Sequence, residues 1–404
     1  MRKIMALICL LSVLALLPTV GCGNGASEPA VPNLKKVSEF EGGRLYEADK
    51  IHVAQLNGDY KEMGRQYGEL LKPQINDFYK KAIVENFPSG PGISREEIVA
   101  FAGENFDKYP SRIKEVFDGM AETSGIGVDK LMLLDQYVLL SVLPVFAGHC
   151  SVLAAWGEYT GGGPLVFAKN EDFDLLFKEF DPDLVVVVYN PDDGSQSVAS
   201  VVNAGQVGTM NEMSKEGLVL AMNQAPNLEK MDLAANRVPI FINYLSFFLD
   251  STNMKALDAE FQSYRPPAPF IANVADTQTA YSFECSQSTC VRREAQENGL
   301  MAATNDYIDP SWVYPEGALE SEGFKESATR RNNLLALGEK NKGKIDAKVM
   351  MEIMDTPKSQ GGATVSDTIF QFVAVPAELK MWVKAPGYQD WVEVDVGELF
   401  SLSE

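Results

Sequence analysis

The spacing of apolar residues changes character several times along the chain. A nearly continuous apolar run covers residues 4–17. Between residues 60 and 143 apolar positions recur every three or four residues, which predicts helices over 60–87, 95–101, 113–123 and 129–143. The first carries its stripe on Met63, Tyr67, Leu70, Leu71, Ile75 and Phe78, with Pro73 predicting a kink. A short strand is expected just before it, over 53–56. From Cys150 the period falls to two, and strands are predicted over 165–168, 184–189 and 198–202, with Asn190-Pro191-Asp192-Asp193-Gly194 turning between the last two. Further strands follow over 217–223, 270–274, 280–285, 290–293 and 300–304, interrupted by helices over 238–249 and 254–263. Helices return over 324–337 and 347–354, where Met350, Met351 and Met354 read as core. Strands over 368–375, 379–383 and 391–396 close the chain. Many antiparallel hairpins with blocks of helix predict an α+β domain of two sheets covered by helices.

The chain has 404 residues, enough for one large core or two smaller ones. A net charge of −21 argues against nucleic acid as a partner and against a polybasic membrane patch. Arg2 and Lys3 ahead of the apolar run give residues 1–21 the form of an export signal. Small residues immediately before Cys22 resemble a bacterial lipoprotein processing site, although Thr19 stands where such sites usually carry Leu. The expected location is therefore the cell envelope, with membrane contact only through a lipid on Cys22; an ordinary secretory signal is the alternative. Residues 22–45 are polar with Pro and Gly and read as a tether.

Of the remaining cysteines, Cys285 and Cys290 flank a predicted hairpin turn. A disulfide between them fits an oxidising compartment. Two free thiols are the other reading, and no second Cys/His cluster completes a zinc site. Cys150 is then unpaired in an exported protein, which marks it as a reactive thiol or a buried free cysteine. The chain has two histidines, His52 and His149. His149 adjoins Cys150 and in extended chain points away from it. The motifs of zinc proteases and serine hydrolases, H-E-x-x-H and G-x-S-x-G, are absent. A nucleophilic Cys150 would need another base. Cleavage of the His149–Cys150 bond would supply one, because a free α-amine has a pKa near 8 and would share a residue with the thiol. Asp172 is the candidate holder of that amine. Asn223 and Asn305, each at a strand end, are candidate oxyanion donors or ordinary turn residues.

Several short segments in order resemble one superfamily. Residues 56–68, Leu-Asn-Gly-Asp-Tyr-Lys-Glu-Met-Gly-Arg-Gln-Tyr-Gly, and residues 119–125, Gly-Met-Ala-Glu-Thr-Ser-Gly, resemble its early segments. Lys169-Asn170-Glu171-Asp172, the block from Gly208 to Leu218, Thr304-Asn305 and Ser327-Ala328-Thr329-Arg330 resemble later ones. Together they look like the N-terminal-nucleophile hydrolases of linear amides: choloylglycine hydrolases, penicillin V acylases, acid-ceramidase-like amidases and, most of all, the acyl-coenzyme A:6-aminopenicillanic acid acyltransferases. The resemblance implies a four-layer αββα sandwich with a helical pro-segment over 46–149 and a catalytic core over 150–404. It implies Cys150 as nucleophile freed by a cut after His149, Asp172 on its amine, Asn223 and Asn305 at the oxyanion, and Arg330 in the site, with Arg331 an alternative register. Lys169 replaces the family's arginine as a substrate contact. Trp156 is placed either in the acyl pocket or in the core, and Glu284 is a possible partner of Arg330.

The expected activity is hydrolysis of small N-acyl amides through a thioester on Cys150, without metal or cofactor. An amine acceptor in place of water would make the enzyme an acyltransferase. A short-peptide peptidase using the same thiol, and a lipid-tethered binding protein that neither cuts nor catalyses, are the other readings.

Overall fold

The structure, a computed structural model, describes residues 31–88, 94–142, 150–208, 210–229 and 237–401. The expected export signal, Cys22, the first part of the tether and His149 lie outside them. The strands in chain order are β1 (Lys35–Phe40), β2 (Gly43–Ala48), β3 (Ile51–Gly58), β4 (Ser151–Ala155), β5 (Val166–Asp172), β6 (Leu184–Pro191), β7 (Val198–Asn203) and β8 (Asn211–Ser214). They continue as β9 (Val219–Gln224), β10 (Phe270–Ala275), β11 (Ala280–Cys285), β12 (Cys290–Arg293), β13 (Leu300–Ala303), β14 (Thr368–Val375), β15 (Lys380–Ala385) and β16 (Gln389–Asp395). They form two sheets. One runs β1-β2-β3-β6-β7-β8-β9-β10-β11-β12 and the other β13-β4-β5-β14-β15-β16. Pairing is antiparallel except between β3 and β6, where a parallel ladder sets Val53 beside Val186.

The helices that bear on the site are α1 (Tyr60–Leu70), α2 (Lys72–Tyr79), α3 (Arg95–Phe106), α4 (Ser111–Ser124), α5 (Val128–Asp135), α6 (Tyr137–Val142), α7 (Ile240–Asp250), α8 (Met254–Ser263), α9 (Glu322–Lys340) and α10 (Ala347–Met354). Three apolar clusters define four layers. Tyr67, Phe117, Tyr244 and Phe261 of the first helical group pack on Val185, Val187, Leu220 and Ala272 of the large sheet. Val186, Ala199, Val219 and Ala221 from that sheet then face Val152, Phe167, Phe372 and Val383 of the second. Leu334, Met350, Ile353 and Met354 cover the second sheet's other face on Leu153, Ala168 and Val373. Alternation along each strand divides its residues between these layers. Large sheets with covering helices are what the expected α+β class requires.

Local chemistry explains the boundaries. Asp59 caps α1, and Glu62 returns a bond to the Asp59 amide, a reciprocal cap written as D-x-x-E. The predicted helix over 60–87 breaks at Leu71 because Pro73 can occupy only the first turn of a new helix. It then ends in a π-helical turn, Lys80–Glu85. Gly64 and Gly119 let α1 and α4 touch backbone to backbone: a Cβ on Gly64 would overlap Val116 O, and one on Gly119 would overlap Lys61 O.

One expectation about organisation needs correction. Residues 35–45 are not tether: β1 pairs with β2 and β2 with β3, adding a hairpin to the large sheet's edge. Within 46–149 the strand expected over 53–56 is β3, which lies inside the large sheet.

Candidate active site

Register brings the site together. In the second sheet Ser151 pairs with Asn170, Val152 with Lys169, and Ala303 with Val152. Thr368 pairs with Asp172. One end of this sheet therefore carries Cys150 ahead of β4, Asp172 at the end of β5, Thr304 and Asn305 just past β13, and Thr368 at the start of β14. Cys150 shares the parity of Val152 and Ala154, so its side chain belongs to the space between the sheets. Asp172 shares the parity of Ala168 and faces α9.

Arg330, on the buried stripe of α9, joins these parts. Its guanidinium donates to the Cys150 carbonyl at 2.9 Å and to Asn305 Oδ1 at 3.0 Å, and lies 4.0 Å from Asp172 Oδ2. Asp172 also accepts a 2.6 Å bond from the Thr368 hydroxyl. Burial pushes the Asp172 carboxyl up to about 7, against the opposing pull of Thr368 and Arg330. Ser327, one turn before Arg330, fixes the loop beyond β13: its hydroxyl takes the Asn305 amide at 2.8 Å and contacts Thr304 and Asp306. Arg331 pairs with Asp306 and not with Cys150, so Arg330 is the register that reaches this cluster. Glu284 is taken by Arg293 at 2.8 Å and by the amides of Ile308 and Asp309.

On the inter-sheet side the Cys150 thiol donates to Glu171 Oε1 at 3.3 Å, with the Asp172 carbonyl at 3.9 Å. Glu171 Oε2 lies 2.5 Å from Lys169 Nζ, and Lys169 also donates to the Met222 carbonyl of the opposite sheet. Burial first, and the Glu171 charge next, push the thiol well above its usual range.

Several expected roles are not met by this geometry. Lys169 is fully enclosed and committed to Glu171 and Met222, which makes it a cross-sheet tie. Trp156 follows the far end of β4, about 20 Å from Cys150 at ~3.3 Å per strand residue. It packs against the inter-sheet core with its amide donating to the Gly299 carbonyl, which is the core reading of this residue. Asn223 faces the site, yet its Nδ2 donates to the Thr304 carbonyl at 3.0 Å, leaving Oδ1 buried without a partner among the described residues. Asn305 Nδ2 donates to the Gln224 carbonyl at 2.9 Å. Both amide groups expected at an oxyanion are thus engaged. His52 lies on β3, with its ring 3.2 Å from the Gln74 amide, and is not a partner of the sulfur. Cys285 and Cys290 face each other across the β11–β12 hairpin and are joined in a disulfide.

Glu171 and Thr368 were not foreseen. A signal for Glu171 was present: in Val166–Asp172 alternation sets Lys169 and Glu171 on the same face as Phe167, and opposite charges two residues apart on a buried face must pair. An apolar cavity reaches Glu171, walled by Phe173, Phe177, Val202, Met210 and Phe370. On the other side two open clefts meet at Arg330. One is bordered by Gln224, Asn305 and Tyr314, the other by Lys358, Thr364 and Asp367.

No family model matches the chain. The protein dcd1B of Dictyostelium discoideum is 23% identical to it over 201 residues, 41% of this chain and 37% of that protein, so the match spans well under half of that relative. Among solved structures, an ortholog of N-acylethanolamine-hydrolyzing acid amidase from Caenorhabditis elegans superposes with a TM-score of 0.43 at 16% identity, over 56% of this chain and 93% of its own. A conjugated bile acid hydrolase from Clostridium perfringens gives 0.44 at 12%, over 62% and 94%. A penicillin V acylase from Agrobacterium tumefaciens gives 0.41 at 10%, over 62% and 87%.

Proposed function

We propose that the chain is an exported cysteine amidase that cuts itself before Cys150 and then hydrolyses linear amides of small N-acyl compounds. The observation that carries this reading is the clamp of Arg330 on the Cys150 carbonyl, Asn305 and Asp172, which ties one unpaired cysteine to a buried carboxylate at a sheet end. Within the continuous chain the counter-charge of Asp172 is the Arg330 guanidinium, held no nearer than 4.0 Å. A new α-ammonium on Cys150 would supply another and draw that carboxyl back down. The amine would relay the thiol proton as sulfur attacks the substrate carbonyl, then protonate the departing amine. A thioester on Cys150 follows, and water releases the acid. Asn223 and Asn305 become oxyanion donors only if the cut frees their side-chain amides from Thr304 and Gln224. The open clefts at Arg330 suit the polar amine part of such a substrate. An amine entering by those clefts in place of water would turn the same thioester to acyl transfer.

The occupied amides and the 3% exposure of Cys150 favour a second reading, a binding protein that keeps the sandwich without chemistry. Denaturing electrophoresis with N-terminal sequencing separates the two. The amidase yields a fragment beginning at Cys150 in wild type and none in Cys150→Ala. A single band in both, with no turnover of N-acyl amino acids, leaves the binding protein.

A further inference from the structure

Self-cleavage poses a problem that the mature mechanism does not solve. Before the cut the nitrogen of Cys150 is an amide and cannot accept a proton. The sulfur needs a base drawn from side chains already present. Among the described residues Sγ faces two oxygens, Glu171 Oε1 at 3.3 Å and the Asp172 carbonyl at 3.9 Å, and of these the carboxylate can take a proton outright. The Asp172 carboxyl is turned to the other face of the strand, toward Thr368 and Arg330. The ring of His52 lies against Gln74.

Resting on the self-cleavage reading above, we infer that Glu171 is the general base that activates Cys150 for cutting its own chain. Lys169 fits as the positioning residue. Its ammonium bonds Oε2 and the Met222 carbonyl together, so Oε1 is the oxygen left to the sulfur. A lysine, with three donors around one point charge, serves this three-way junction where a planar arginine fork would not. Both side chains are buried.

The step balances without a co-reactant. Glu171 takes the thiol proton as sulfur adds to the carbonyl carbon of the preceding peptide bond. The C–N bond then breaks, the nitrogen takes the proton from Glu171, and the upstream chain is left as a thioester. Water hydrolyses that ester, giving a carboxylate on the upstream piece and a free thiol and amine on Cys150. From then on the amine is the nearer base.

The test follows conversion of newly made full-length chain into two fragments over time, in wild type, Glu171→Gln, Glu171→Asp and Glu171→Ala, the last with and without added formate. Thermal unfolding selects the variants that fold. General-base catalysis is worth on the order of 10²–10⁴ in rate. The expected results are a loss of at least a hundredfold in the Gln variant, an intermediate rate in Asp, and cutting of the Ala variant that rises with formate concentration. Cutting of the Gln variant within threefold of wild type overturns the inference. So does a folded Ala variant that formate does not restore, since a merely structural carboxylate would behave that way. If wild type itself stays whole, the self-cleavage reading has failed, a result distinct from both.

Discussion

Asp172 offers a measurable consequence of building a carboxylate into this interior. Its carboxyl ionises at about 7 in the folded continuous chain against an ordinary value of 3.8, chiefly because it is wholly buried. Three units correspond to about 4 kcal/mol. A carboxyl whose folded value is raised favours folding while protonated. That contribution is complete below about pH 3.8 and is lost as pH climbs to 7. Above that window the ionised group burdens the folded state by the full amount. Asp172→Asn removes the charge and leaves an oxygen for the Thr368 hydroxyl. Its new amide hydrogens face Arg330, which trims the gain. In a Cys150→Ala background, where no new amine can form, Asp172→Asn should be more stable than its parent by about 2–4 kcal/mol at pH 8, and equal to it below pH 4. Urea unfolding at several pH values reads the difference directly, and other titrating groups cancel between the two proteins. A pH-independent difference, or an Asn variant less stable at pH 8, would refute the reasoning.

Two further outcomes follow from packing. Gly64→Ala forces a methyl into the Val116 carbonyl where α1 crosses α4. Helix propensity returns ~1 kcal/mol, but overpacking against backbone should leave a net loss of about 2 kcal/mol, seen as a lower urea midpoint with unchanged slope. Met210→Trp adds more side chain than the cavity of about 30 Å³ reaching Glu171 can hold. Overpacking there should cost about 1–3 kcal/mol, and a variant as stable as wild type in urea would show that this wall yields.

Periodicity made the layers legible because buried strands and amphipathic helices write their period into the chain. Elements with a weak stripe did not show. In β1 every residue but Phe40 is exposed, so no alternation marks it. Four-residue β8 is too short to show a period. Cys150, Asp172, Asn305 and Arg330 were named from short motifs, and the fold gathers them because each lies at or just beyond the same end of one sheet, or on the helix covering it. Lys169 was misplaced because proximity along a strand says nothing about which face or which end a side chain occupies, and the same silence left Trp156 open between pocket and core. Trp156 follows Cys150 by six residues and by the whole length of β4. Glu171 was passed over because a motif directs attention to the residues it specifies, whereas the pairing of Glu171 with Lys169 follows from strand alternation.

The parallel ladder between β3 and β6 joins chain from either side of Cys150. A scission there would turn one molecule into two peptides woven through a common sheet. Dissociation would have to strip three strands and a helical layer at once, so the pieces would travel as one body at any ordinary dilution. Refolding, by contrast, would become a meeting of separate partners, second order and slow at low concentration. Such a protein would have one good opportunity to reach its native state, at synthesis, before its own chemistry removed the covalent link that made folding a first-order event.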